Sequence, residues 1–241
     1  MIKTKLAKIY YSQAHEPKFF SLFINPFYFA RKNLFDHIKD LASNVTGKTL
    51  DVGCGSKPYQ SLYKSSEYIG LEIDSPANRE IKNADYFYDG NIFPFSNDSF
   101  DSVVMNQVFE HVFNPNECLE EVSRILKKDG KLLLTIPFAW DEHEQPYDFA
   151  RYSSFGIKSI LEKHGFEILE QRKSTDDIRA IFQLLILYIF KTTNTKSGTL
   201  NLLMTIIFIS PFNLIGSLLS LILPSNQDLF LDNIILAKKS K

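Results

Sequence analysis

Short apolar segments alternate with helix-patterned segments through the middle of this chain, and that alternation restricts the fold more than any other feature. KTLDVG (48–53), EYIGLEID (67–74), ADYFYDG (84–90), FDSVVMN (100–106) and KLLLTIP (131–137) read as strands bounded by turn residues. Between the last two, Leu119, Val122, Ile125 and Leu126 recur at helical spacing. Asn114 is placed to cap that helix, Pro115 to open it and Gly130 to close it. A second helix is expected over 153–165, capped by Ser153 or Ser154 and stopped by Gly165, before the strand FEILEQRK (166–173). Strands in alternation with helices imply a mostly parallel sheet with helices on both faces. Ligands of such sheets bind beyond the carboxyl ends of the strands, where strand order reverses.

The chain has 241 residues, enough for one substantial domain and an appendage. Its formal net charge of −1 gives no reason to expect nucleic-acid binding, which normally needs a basic surface. Cys54 and Cys118 have no metal-type spacing, which suits a reduced cytoplasmic compartment. The first twenty residues hold lysines but no continuous apolar run, so no signal peptide is expected.

The turn after the first strand, LDVGCGSKPYQ (50–60), has the place of a nucleotide loop. Gly53 and Gly55 can take positive φ and admit a ligand to the backbone. The pattern then fails as a pyrophosphate cradle: Ser56 and Lys57 follow, and Pro58 stands where G-x-G-x-x would end in glycine or alanine. Carboxylates mark the strand ends instead. Asp51 sits in the loop, Glu72 near the end of the second strand with Asp74 as a competitor, and Asp89 at the end of the third. An acid at each of three strand ends suits a ligand with a ribose and an amino group but no phosphate. Taken singly, the glycines read as turn residues, Asp51 as a turn cap and Cys54 as a packed small residue.

As an ordered set, LDVGCG, GLEID, YDGNIFPFSNDSFDSVVMNQVFEHV and CLEEVSRILKKDGKLLLTIP resemble the class I S-adenosylmethionine-dependent methyltransferases, in the type 11-like small-molecule branch, over about residues 45–172. The resemblance implies a Rossmann-like seven-stranded sheet whose last strand is antiparallel. It implies S-adenosylmethionine as cofactor. Asp51, Gly53 and Gly55 would surround the methionine part and Glu72 the ribose hydroxyls. Asp89 would accept from the adenine amino group with Ile92 beside the ring, and Asn106 would lie against the methionine end. Ser56 or Lys57 stands where the family often has a third glycine.

Catalysis is expected beyond the fourth and fifth strands, in two clusters. Glu110 and His111 form the first; His111 either joins the chemistry or only hydrogen-bonds within its loop. Some quinone-type relatives carry a further Glu three positions earlier, with an inferred metal; here that position is Gln107, and no metal is expected. The second cluster, PFAWDEHEQPYDFARYS (137–153), resembles an H-x-x-P-x-D-x-x-R-Y stretch of a branch associated with cell-surface glycan biosynthesis. Histidine titrates near neutrality, so His143 is the expected general base. Asp148 would orient it or bind substrate hydroxyls. Arg151 would anchor an acceptor carboxylate or phosphate, unless Asp148 and Arg151 form a pair that merely stiffens the loop. Tyr147 and Tyr152 lie in the same segment.

The flanks complete the organisation: an N-terminal helical cover (1–44), the core (45–173 with 228–241) and an apolar insert (174–227). In the cover, Phe27, Phe29, Leu34 and Ile38 would shield the cofactor cleft, with Tyr28 and Arg31 in reach of it. Residues 197–227 contain no Asp, Glu, Lys, Arg or His. Since LFLDNIILAKK (229–239) reads as a strand of the same sheet, a single membrane span is incompatible with sheet closure. Ser210-Pro211 is expected to break the run into two short helices, with Asn213, Ser217 and Ser220 on one face. They would contact a membrane interface, cover the site or form a homodimer contact; peripheral membrane contact through 178–224 is the preferred reading. The expected function is O-methylation of a small-molecule or lipid-linked glycan acceptor on the inner face of the membrane. The alternatives are a quinone or lipid ring methyltransferase and a non-catalytic binding protein of the same fold.

Overall fold

The computed structural model describes residues 13–81 and 83–240. Residues 1–12, the front of the expected cover and of the stretch read for a signal peptide, lie outside the described residues.

Seven strands form one sheet: β1 (Thr46–Val52), β2 (Lys64–Ile73), β3 (Tyr86–Tyr88), β4 (Phe100–Asn106), β5 (Leu126–Pro137), β6 (Phe166–Ser174) and β7 (Asp232–Lys239). Their order is β3-β2-β1-β4-β5-β7-β6. The pairs β1–β2, β1–β4, β2–β3 and β4–β5 are parallel. β7 runs against β6: the Leu231 N–H donates to the Ser174 carbonyl and the Ser240 N–H to that of Gly165, so one strand retreats as the other advances. This is the expected Rossmann-like sheet with an antiparallel last strand. Strand order reverses between β1 and β4, which opens a crevice at their carboxyl ends.

The helices are α1 (Ser21–Ile24), α2 (Tyr28–Leu41), α3 (Pro76–Ile81), α4 (Pro115–Ile125), α5 (Ser154–Lys163), α6 (Ile178–Thr193), α7 (Gly198–Met204) and α8 (Ser210–Leu219). Alternate strand residues Leu50, Val52, Val103, Met105, Leu132 and Leu134 join Leu119, Val122 and Ile125 of α4 and Ile157 and Leu161 of α5 in the main core. Residues of the opposite parity, Thr49, Val104 and Leu133, are also fully buried, so both sheet faces are covered. Ser153 caps α5 as expected, its hydroxyl accepting from the Gly156 N–H.

Two expectations are corrected. Helix α4 ends at Ile125, not near Gly130, and Asn114 makes no side-chain cap. Backbone bonds from Asp98 to Arg124 and from Ser99 to Ile125 draw the chain into β5 one turn early. Nor does Pro211 break the apolar run. α7 and α8 join through a π-helical turn, Thr205–Ile209, into one continuous helix, Gly198–Leu219. Proline lacks an N–H and crowds the preceding turn. Widening that turn to the π pattern removes the conflict, and Pro211 becomes an opening residue of α8.

The chain divides into two compact units, Ile38–Arg172 with Asn233–Lys241 and Met1–His37 with Lys173–Asp232. Within the second, Phe29 lies against Ile186 and Ile209, and the Phe27 and Phe190 rings meet edge to face at 5.1 Å. The buried Gln183 side chain accepts from the Ala30 N–H and donates to the Pro26 carbonyl. Asn213 donates to the Leu22 carbonyl, and the Ser217 hydroxyl to the carbonyl of Asn213.

Candidate active site

The loop after β1 is held in shape by its two glycines. Gly53 and Gly55 have φ of +65° and +52°. A Cβ on Gly53 would lie 2.5 Å from a Val108 methyl, so the position admits only glycine on both conformational and steric grounds. The Gly53 N–H donates to the Leu71 carbonyl at 2.9 Å, and the Gly55 N–H to Glu72 Oε1 at 2.7 Å. Glu72 thereby bolts the loop to the end of β2. Lys57, near the position of the family's third glycine, itself takes a left-handed φ of +57°. Its chain crosses over Gly70, where any Cβ would meet Lys57 Cε at 2.4 Å. Its ammonium reaches Asp85, which also accepts from the Gly70 N–H. Asp85 was not singled out in the sequence, since only the fold brings it to Lys57.

Asp51 is buried and accepts from the Tyr68 hydroxyl at 2.7 Å. Burial pushes its carboxyl up to about 7; the Tyr68 hydrogen bond opposes this and the charge of Glu72 adds to it. Tyr68 stacks on Tyr63 at 5.9 Å between ring centroids, and the Tyr63 hydroxyl accepts from Asn106 Nδ2 at 3.2 Å. Asn106 Oδ1 is buried with no hydrogen-bond partner among the described residues. Cys54 is a packed residue, as expected: it is buried, and burial pushes its thiol up to about 12.

Of the two acids at the end of β2, Asp74 is bound bidentately by Arg79 at 2.6 and 2.8 Å. Glu72 faces the loop through its bond to Gly55. At the end of β3 the exposed Asp89 accepts from the Asn91 N–H, and hydrogen bonds from this backbone hold its carboxyl below the usual range. Ile92 is 69% exposed, and so is nearly half of Ile73 at the tip of β2. Ile73 was missed in the sequence, where it reads as one more strand residue.

Beyond β4 and β5 the two expected clusters are one. Glu110 and His111 lie in a single 3₁₀ turn after β4, and the long loop after β5 folds back onto them. The Phe149 and Ala150 N–H groups donate to the Glu110 carbonyl, and the Tyr147 carbonyl lies 2.7 Å from His111 Nδ1. His111 therefore bonds to the other loop, not within its own. Its ring meets that of His143 at 4.8 Å between centroids and 77°. Asp148 Oδ2 lies 3.2 Å from His143 Nδ1 and accepts from the His143 N–H at 3.0 Å. Arg151 grips Asp148 with both terminal nitrogens, at 2.5 and 2.6 Å, and donates to the Ala150 and Asp141 carbonyls. Burial acts to raise the Asp148 carboxyl, but the Arg151 and His143 hydrogen bonds outweigh it and hold the group at about 2. Both terminal nitrogens of Arg151 are thus engaged within the loop. Gln107 turns to β5, its N–H donating to the Thr135 carbonyl. Tyr147 and Phe149 are exposed, and the Phe149 ring meets that of the exposed Phe113 at 5.2 Å.

Residues 27–171 match the family model described as a methyltransferase domain. An uncharacterized protein of Methanocaldococcus jannaschii is 27% identical over 129 residues, 48% of this chain; the match spans 61% of that relative's length. Among solved structures, Haemonchus contortus phosphoethanolamine N-methyltransferase 2 in complex with S-adenosyl-L-methionine is similar at a TM-score of 0.56 and 18% identity, over 95% of this chain and 57% of that one. A putative methyltransferase from Bacillus halodurans gives 0.52 and 17%, over 87% and 99%. The [4+2]-cyclase SpnF gives 0.55 and 17%, over 85% and 81%, so the fold alone does not dictate methyl transfer. With its sheet order, its glycine loop bolted to Glu72 and a family model matched over more than half its length, the chain belongs to the methyltransferase domain family, the class I S-adenosylmethionine-dependent methyltransferases.

Proposed function

We propose that the protein O-methylates a glycan or lipid-linked saccharide at the inner face of a membrane. The observation that carries this reading is the His143–Arg151 loop, the segment that resembles a glycan-associated branch, folded onto Glu110 and His111 beyond the strand ends.

The residues beyond β1, β2, β3 and β4 fit S-adenosylmethionine. Glu72, which holds Gly55 at the end of β2, is the acid for the ribose hydroxyls. Ile73 and Ile92 offer exposed apolar surface for the adenine ring, with Asp89 beside it for the amino group. Asn106 Oδ1, a buried acceptor with no partner among the described residues, suits the ammonium of the methionine end. Asp51 acts at one remove, holding Tyr68 and through it the stacked Tyr63. The bound cofactor supplies a methyl group already activated by its sulfonium charge. The chain's task is to align the acceptor oxygen and exclude water. Tyr147, Phe149 and Phe113 present flat aromatic surface on which the apolar face of a sugar ring can rest.

Lipid linkage and membrane contact rest on the continuous helix Gly198–Leu219, the described helix that is long and apolar enough to cross a membrane; 28% of its most apolar 18-residue stretch is buried. Its Leu203, Ile207, Phe208 and Leu218 are exposed, as are Leu221 and Ile222 beyond it. The run leaves the sheet after β6 and returns to it as β7, so the segment lies on or dips into the bilayer without a single crossing.

The test is radiolabelled methyl transfer from S-adenosylmethionine to polyprenyl-linked saccharides, free sugars and quinones, with liposome co-sedimentation in parallel. Transfer to a saccharide hydroxyl supports the reading; transfer only to a quinone ring refutes the acceptor. Absence from the liposome pellet, or a pellet unchanged in an Ile207→Ser, Leu218→Ser, Leu221→Ser variant, refutes the membrane contact.

A further inference from the structure

We propose that Glu110, His111 and His143 hold a divalent transition-metal ion, and that its open positions take the acceptor hydroxyl. The three side chains come from two loops, and their ligand atoms all lie within 4.8 Å of one another. Glu110 is fully buried.

The neighbours of each imidazole fix its tautomer. His111 Nδ1 is 2.7 Å from the Tyr147 carbonyl oxygen, which can only accept, so in the neutral ring Nδ1 carries the proton and Nε2 the lone pair. That Nε2 lies 3.8 Å from Glu110 Oε1. His143 Nδ1 faces Asp148 Oδ2 and the Asp141 carbonyl, both at 3.2 Å and both acceptors, with the Arg151 guanidinium more distant at 3.4 Å. Its Nε2 is therefore also a lone pair, 3.9 Å from the same Glu110 oxygen. Two imidazole lone pairs and a carboxylate oxygen thus converge, with the ring protons committed to the far sides. Convergent acceptors repel one another unless a cation lies among them.

Two histidines and one carboxylate form the donor set of open divalent sites, and a carbonyl or carboxylate behind each histidine is the usual support. Donors on bonds of ~2.0–2.2 Å to one tetrahedral cation lie ~3.4 Å apart, so the 3.8 and 3.9 Å separations to Glu110 close by a few tenths of an ångström, and the set as a whole, spread within 4.8 Å, draws together around the ion. Imidazole donors select zinc, iron or nickel over magnesium. Gln107, bonded to β5, takes no part; His143 supplies the third donor from the other loop.

The catalytic role rests on the proposed methyl transfer, but the metal site itself does not. A bound hydroxyl loses its proton to solvent water more readily beside a divalent ion. Its oxygen then forms the new O–CH3 bond as the S–CH3 bond breaks, and that electron pair stays on sulfur as the neutral thioether. His143 would then be a metal ligand, not the general base suggested by its sequence context.

The experiment is titration of chelator-treated full-length protein with Co2+ alone, followed by visible absorption and by X-ray absorption at the cobalt edge. One Co2+ per chain is expected, with two imidazole nitrogens in its shell and displacement by Zn2+. Binding should weaken about tenfold or more in His111→Ala, His143→Ala and Glu110→Gln and about 10–100-fold in Asp148→Asn, and persist in Gln107→Ala. If a variant fails to fold by circular dichroism, the nitrogen count on the intact protein decides. No Co2+ uptake, a shell without imidazole, or uptake indifferent to all three ligand substitutions overturns the proposal. S-adenosylmethionine titrated into the same metal-free sample reads the cofactor site separately, so failure of one leaves the other measured.

Discussion

Replacing Glu72 separates its hold on the glycine loop from the ribose contact proposed for it. Its Oε1 accepts from the Gly55 N–H at 2.7 Å and fixes the glycine loop, and the proposed function has the carboxylate receive ribose hydroxyls as well. In Glu72→Gln the amide oxygen can still accept from Gly55, whereas the amide nitrogen can only donate and the charge is gone. A hydrogen bond to a charged group contributes ~1.5–3 kcal/mol. Loss of the ribose contact should therefore weaken S-adenosylmethionine binding about 10–150-fold, at ~1.4 kcal/mol per tenfold, with the thermal midpoint close to wild type. In Glu72→Ala the loop N–H also loses its partner, and the midpoint should fall as well, by a free energy of ~1–3 kcal/mol. Calorimetric titration with S-adenosylmethionine and S-adenosylhomocysteine, beside thermal unfolding, reads both quantities. Equal affinity in wild type and both variants would refute the cofactor assignment. Equal loss of stability in Gln and Ala would refute the division of labour.

Two further substitutions test the same region. Gly53→Ala forces a left-handed alanine and sets a methyl 2.5 Å from Val108; a cost of ~2–4 kcal/mol is expected from strain and overpacking, read as a lowered urea midpoint, and an unchanged midpoint would contradict the loop geometry. The Asp51 carboxyl is raised from 3.8 to about 7, so the folded chain binds a proton that the unfolded chain releases, and stability falls as pH rises from about 4 to about 7. That corresponds to at most ~4 kcal/mol, and Asp51→Asn should flatten this part of the stability profile; identical pH profiles for the two proteins would show that burial does not hold the proton there.

The sheet was legible because strand and helix periods alternate, and buried strands of both parities leave near-continuous apolar runs. Strand ends were less so. β3 keeps only Tyr86–Tyr88 of the expected 84–90, and β5 begins at Leu126 because backbone pairing across the sheet overrides helical spacing. The loop glycines, Glu72 and Asp89 could be located by position along the chain. Partnerships could not: Asp51 with Tyr68, Lys57 with Asp85, and Glu110 with His143 are joined across neighbouring elements, which only register sets. The passage of one helix through Pro211 was illegible for a different reason. Proline's cost is local and visible in sequence, whereas the π turn that accommodates it is a backbone adjustment without a residue signature.

The place of β7 between β5 and β6 also orders the events of biosynthesis. β6 touches the rest of the sheet only through β7, and β7 is translated after the whole apolar run. While the ribosome is still making that run, β6 has no neighbour to pair with, and the exposed leucines and isoleucines of Gly198–Leu219 are already in existence. Sheet closure is thus a late, long-range step, the kind that folds slowly and leaves sticky intermediates. A bilayer or a chaperone at hand during synthesis would shelter the helix until β7 slots in, so the yield of folded protein should depend on what surrounds the nascent chain as much as on its final stability.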